Sequence, residues 1–260
     1  MKGAVVALAC VLLLTALAQA GGLTLTADQV EADSRSGKVL ARGRVWVSDG
    51  ATTLTGERLV LDVRVQQAIL VRGRMQAQDG TLEAGRIHLF FAGPRIVRVL
   101  AREAVALETP RGVVFADTVE ARPDAGRLMA SGDVRVFVPP DVVAFGPQLV
   151  YERAPARLRM GGPVRVQSAQ GVLRGRTLEA SEEGWVRVEG EVLLEYADTT
   201  GRAGSVVLFG REKRVVLEGD VFLQRRRDRL WADRVTLFYE QGRVVAERVR
   251  CLVVVEEAEG

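Results

Sequence analysis

The one histidine of the chain, His88, sits between Ile87 and Leu89 on a polar alternation position. A single imidazole among scattered carboxylates completes neither a zinc site nor a Ser-His-Asp arrangement, and it reads as a surface strand residue. Asp28, Asp117 and Asp233 each follow a small residue (Ala27, Ala116, Ala232) at matching places in a repeating pattern. Their recurrence points to a bend role, with the carboxylate capping backbone N–H groups, rather than to paired catalytic acids. Glycines recur at a fixed long period, not in a phosphate-cradling loop. The chemistry that remains is that of arginine. Arg42, Arg44, Arg72, Arg74, Arg98, Arg102, Arg159 and Arg165 lie on the outward parity, where they form either a solvated face or a surface that attracts anionic groups such as phosphates. Arg225-Arg226-Arg227 falls in a predicted turn and reads as a solvated loop. Aromatic residues are only 5% of the chain, too few for a stacking nucleic-acid groove. These residues predict a non-enzymatic protein with no cofactor, no metal and no nucleic-acid partner.

The elements that position these side chains are written as a repeat. Val39 to Leu61 joins two patterns. In the first, Gly43 is flanked by apolar Ala41, Val45 and Val47, with Arg42 and Arg44 between them. The second is Leu54-x-Gly56-x-x-Leu59-x-Leu61. Such alternation marks strands with one buried and one wet face, and Ser48-Asp49-Gly50 supplies a turn between them. Equivalents of Gly43 stand at Gly73, Glu103, Gly132, Gly162, Gly190, Gly219 and Glu247, spaced by 28 to 30 residues. Apolar residues stand two places on either side of each, including Val71 before Gly73. The second pattern recurs from Leu25-x-Ala27-x-x-Val30-x-Ala32 to Leu230-x-Ala232-x-x-Val235-x-Leu237. Its step of three predicts a β-bulge or corner in that strand, with the small residue just before it permitting close backbone approach. A period near 29 residues, taken about eight times, predicts an all-β repetitive stack in which two antiparallel sheets face one another.

Residues 1–20 read as a secretory signal peptide: Lys2, an apolar run from Ala4 to Ala18, and Ala18-Gln19-Ala20 as a small-x-small cleavage site. An uncleaved inner-membrane anchor is the minority alternative. Residues 21–260 read as one continuous domain, with a seam near 93–112, where Glu103 replaces the glycine. After removal of Cys10 with the leader, Cys251 has no intramolecular partner; its inward parity predicts an ordinary small hydrophobe.

The export signal, the small-Asp steps Ala27-Asp28, Ala116-Asp117 and Ala232-Asp233, and the segments Gly132-Asp133-Val134 and Gly219-Asp220-Val221 together resemble the OstA/LptA family of periplasmic lipopolysaccharide-transport proteins. The resemblance spans residues 23–255 and implies an elongated β-jellyroll curved into an open groove. It further implies that the groove takes the acyl chains of lipopolysaccharide or another acylated glycolipid, and that Val45, Val47, Leu59, Leu61, Met75, Ile87, Val134, Val136, Leu149, Met160, Val164, Val192 and Val221 line it. Taken singly, each of these reads as ordinary core. The partners implied are inner- and outer-membrane transport components joined end to end by β-strand addition, with self-association of the chain as a further use of the same edges. The localisation implied is the periplasm. The rival expectation is a packed structural scaffold of the envelope that carries no ligand.

Overall fold

The structure is a computed structural model that describes residues 24–253, apart from 79, 94, 140, 170 and 182; the leader expected at residues 1–20 lies outside them. Among the described residues there is no helix, and every register is antiparallel between strands close in the chain. The fold is therefore all-β. The chain divides into two compact units, Met1–Val134 and Arg135–Gly260.

Unit 1 contains β1 (Thr24–Thr26), β2 (Gln29–Asp33), β3 (Lys38–Ser48), β4 (Thr53–Asp62), β5 (Gln67–Ala77), β6 (Gly80–Ala92), β7 (Arg95–Thr109) and β8 (Gly112–Arg122). The boundary falls within β9 (Arg127–Val138). Unit 2 continues with β10 (Val142–Glu152), β11 (Arg157–Gln167), β12 (Gly171–Ser181), β13 (Trp185–Tyr196), β14 (Thr199–Phe209), β15 (Arg214–Arg225) and β16 (Asp228–Phe238). It ends with β17 (Arg243–Glu247) and β18 (Arg250–Leu252), both of which pair with β16. At the other end β1 and β2 both pair with β3, so each of these pairs is one repeat strand interrupted at its corner.

Turn chemistry closes the hairpins. Between β3 and β4 the Asp49 carboxylate accepts hydrogen bonds from the backbone N–H groups of Ala51 (2.9 Å) and Thr52 (2.7 Å), which holds the chain in the turn that Ser48-Asp49-Gly50 predicts. Asp62 does the same for Arg64 (3.1 Å) between β4 and β5.

The corner differs from expectation in one respect. From Ala41↔Leu59 to Val45↔Gly56, β3 advances four residues while β4 advances three. The extra residue of the bulge therefore lies on the glycine-anchored strand, not on the strand with the step of three. The same holds at β10–β11, β12–β13 and β14–β15. The anchored strand absorbs its extra residue by placing two successive residues in the left-handed region: Gly43 (φ 68°) and Arg44 (φ 42°), Gly190 (88°) and Glu191 (50°), Gly219 (80°) and Asp220 (47°). Glycine takes the first of these positions because it has no Cβ to clash there.

Glu103 (φ 71°) and Ala104 (φ 54°) adopt the same conformation without glycine, which costs on the order of 1–2 kcal/mol. The Arg86 ion pair at 3.5 Å is exposed and offsets little of this. Glu103→Gly is expected to raise unfolding free energy by about 1 kcal/mol, measurable by urea denaturation.

The second repeat departs from the rule. β4 and β5 keep register through the corner, with Thr55↔Arg74 and Arg58↔Val71, and only Arg72 (φ 46°) turns left-handed beside Gly73. β5 takes a step of three of its own, from Leu70 to Gly73, alongside the step from Gly56 to Leu59 on β4. Leu70 is fully buried, whereas Val71, expected inside, stands opposite Arg58 and is half-buried.

The apolar side chains on both sides of each corner are buried: Val39 and Ala41 with Val45 and Val47 in unit 1, Val188 with Val192 in unit 2. With no helix available to cover them, the strand halves on either side of the corner must cover one another within each unit. No polar or charged residue is buried among the described residues, so the interior contributes to stability through apolar burial, about 25 cal/mol per Å².

Candidate functional site

The thirteen residues expected to line a groove all fall on strands. Eleven are buried: Val45 and Val47 on β3, Leu59 on β4, Ile87 on β6, Val134 and Val136 on β9, Leu149 on β10, Met160 and Val164 on β11, Val192 on β13 and Val221 on β15. Register brings several together directly, as in Leu149↔Met160, and through a shared neighbour, as in Leu59↔Leu70↔Ile87. Leu61 and Met75 are half-buried. Buried apolar residues outside these thirteen include Leu70, Leu89, Val105, Val188 and Leu217. All except Leu70 stand at apolar positions of the two repeating patterns.

Exposure along the lining is graded. Midway along the strands it approaches zero, as at Val134 and Val192. Towards the strand ends it rises: Leu158, Tyr151, Val166, Leu173, Leu194 and Leu223 are half-buried. An acyl chain would meet apolar surface first at these rims. To reach the middle it would have to displace side chains that now touch one another.

The charged groups lie outside this lining. At four corners the residue in the left-handed region forms an ion pair with the neighbouring strand: Arg44–Asp28 (2.7 Å), Arg72–Glu57 (2.9 Å), Glu191–Arg176 (2.8 Å) and Arg248–Asp233 (2.9 Å). Asp28 and Asp233 therefore engage guanidinium groups rather than capping backbone N–H groups as expected. The Arg44 hydrogen bonds hold the Asp28 carboxyl below the usual carboxylate range. These pairs are exposed and contribute little to stability. Glu120 is likewise held low, first by its hydrogen bond from Arg98 and then by that from Arg122.

His88 stands half-buried against Phe90, with ring centroids 5.1 Å apart. Burial, and then the charges of Arg102, Arg86 and Arg98, push its pKa below the ordinary histidine value. The folded protein thus binds this proton less readily than the unfolded chain, so stability falls as pH drops from the unfolded pKa of 6.5 through the lower folded one. His88→Gln is expected to flatten the dependence of the urea midpoint on pH just below 6.5, while leaving it unchanged at pH 8.

Cys251 occupies the inward parity, opposite Leu230, but it is exposed. β18 is the last described strand, and among the described residues no further strand covers it. Among the described residues no three His, Cys, Asp or Glu side chains converge in a way that could hold a metal ion, and no helix is long and apolar enough to cross a membrane.

No family model matches the chain, and no curated protein matches it in sequence. Among solved structures it is similar to LptH, the LptA-homologous periplasmic component of the lipopolysaccharide transport device of Pseudomonas aeruginosa. The likeness covers 54% of this chain and 82% of that one at 17% identity. Its TM-score is 0.24, too low for the superposition to carry an argument about this chain.

Proposed function

We propose that the chain is a periplasmic lipid-binding transport protein that shelters the acyl chains of lipopolysaccharide or a similar envelope glycolipid, and that helps to bridge the inner and outer membranes. The observation that carries this reading is the inward face: apolar on strand after strand in both units, free of buried polar groups among the described residues, and half-open at its rims. Such a face rewards an acyl chain with roughly 25 cal/mol per Å² removed from water. It gives no directionality, which a partner would have to supply.

The edges suit such partners. Val244, Val245, Val249 and Leu252 on or beside β17 and β18 are all exposed, as is Val253 next to them. A strand with exposed apolar side chains and, among the described residues, an unpaired backbone edge is a template for β-strand addition. A second reading, a ligand-free structural scaffold, is favoured by the burial of eleven of the thirteen lining residues.

A photo-crosslinking amino acid at half-open Leu61 or Met75, exposed to lipopolysaccharide, separates the two readings. The transport reading expects lipid adducts at both positions and none at outward Arg58. Adducts at neither inward position would transfer the assignment to the scaffold.

A further inference from the structure

The outward face of unit 2 carries a row that the sequence does not display, because its members are 9 to 20 residues apart. Register aligns Phe145↔Arg165↔Arg174↔Leu193↔Arg202↔Phe222↔Trp231↔Arg250 across β10 to β16 and β18. The row contains four arginines, three aromatic rings and a leucine, with no carboxylate. The guanidinium of Arg165 lies 5.9 Å from the Phe145 ring centroid, that of Arg202 5.9 Å from Phe222, and that of Arg250 5.8 Å from Trp231. Phe222 and Trp231 are tilted against each other at 5.3 Å. Arg174 is paired with Glu195. Arg165, Arg202 and Arg250 have no carboxylate partner among the described residues.

Arg165 and Arg174 stand directly opposite each other; Glu195 partners Arg174, which leaves Arg165 to carry the like-charge cost. At the centre of the row, Leu193, Thr200, Gly201, Arg202, Phe222 and Trp231 line a shallow depression of about 430 Å³, in which Leu193 is 50% exposed. On the other side of the corner the matching row reads Thr177, Glu189, Ser205, Glu218, Arg234 and Glu247, so charge of opposite sign is segregated across the bulge.

We propose that this depression and its flanking arginines dock unit 2 on the headgroup region of an anionic lipid bilayer. Tryptophan, phenylalanine and an exposed leucine suit the boundary between headgroups and acyl chains, and each arginine near such a surface strengthens partition about fivefold. The apolar depression distinguishes this surface from the arginine row Arg42↔Arg58↔Val71↔Arg86↔Arg102 in unit 1, which carries no ring, and from the row Trp185↔Phe209↔Arg214↔Phe238↔Arg243 in unit 2, where Arg214 is paired with Glu212. The docking face lies on the opposite side of the strands from the apolar lining, so it stands whether or not the interior carries lipid.

The test uses the full chain with Trp46→Phe and Trp185→Phe, which leaves Trp231 as the reporting indole. Vesicles of phosphatidylglycerol mixed with phosphatidylcholine are expected to shift its emission to the blue, and pure phosphatidylcholine is not. Arg202→Gln with Arg250→Gln is expected to weaken partition roughly thirtyfold. The equal charge loss of Arg42→Gln with Arg58→Gln should change it by less than about threefold, because those groups lie outside the contact and are screened. Binding without a Trp231 shift, equal binding to both vesicle types, or equal losses in the two double variants would each overturn the proposal.

Discussion

Val192→Asp is expected to prevent folding of unit 2 at temperatures where the parent chain is stable. Val192 is completely buried opposite Ala203, and among the described residues no basic group is buried that could pair with an introduced carboxylate. A charge left unpaired in such a place costs on the order of 3–5 kcal/mol, a large part of the 5–15 kcal/mol that typically separates folded from unfolded states. Val192→Ala, which only leaves a cavity, should cost about 1–2 kcal/mol. Circular dichroism with urea titration of the full chain checks both. If Val192→Asp folded normally, the middle of the lining would have to be open to water, contrary to its burial.

Gly175→Val is the second large effect, and it tests the corner rather than the core. A Cβ on Gly175 would lie 2.6 Å from the Val188 Cγ1 atom and 3.0 Å from the Glu189 carbonyl oxygen. Of these two neighbours, the backbone atom cannot move without disturbing the β12–β13 register. Valine adds two further methyl groups in the same space, so a loss of about 3 kcal/mol is expected. Gly161→Ala on β11 is the control. Nothing lies within 4 Å of its Cβ position, and its backbone is not left-handed. There the expected change is a gain of up to about 1 kcal/mol, from reduced freedom of the unfolded chain. Equal losses at the two positions would mean that close approach at the corner is not what requires a small residue at Gly175.

Much of this architecture is legible in the sequence because a strand writes its two faces on alternate residues. The period near 29 residues, the all-β class and the inward parity of residues such as Ile87, Leu149 and Val164 follow from that rule. What the pattern does not contain is register. The step of three marks where a corner falls, but which strand holds the extra residue depends on how far its partner advances over the same interval, as β3 and β4 illustrate. At Gly73 the partner advances equally, and Leu70 rather than Val71 turns inward. The roles of Asp28 and Asp233 lie outside the pattern for the same reason: their arginine partners lie 16 and 15 residues away and become neighbours only after pairing. Cys251 shows a different gap, since parity gives the face of a strand but not whether another strand lies beyond it.

The most direct test of the transport reading is mass spectrometry of an organic extract from the mature protein, purified gently from its native envelope. The reading predicts an acylated glycolipid in near-stoichiometric amount, reduced when Leu61 and Met75 are both changed to glutamate at the half-open part of the lining. A lipid-free extract that stays lipid-free after incubation with lipopolysaccharide would contradict it and leave the buried lining as the packed core of a scaffold.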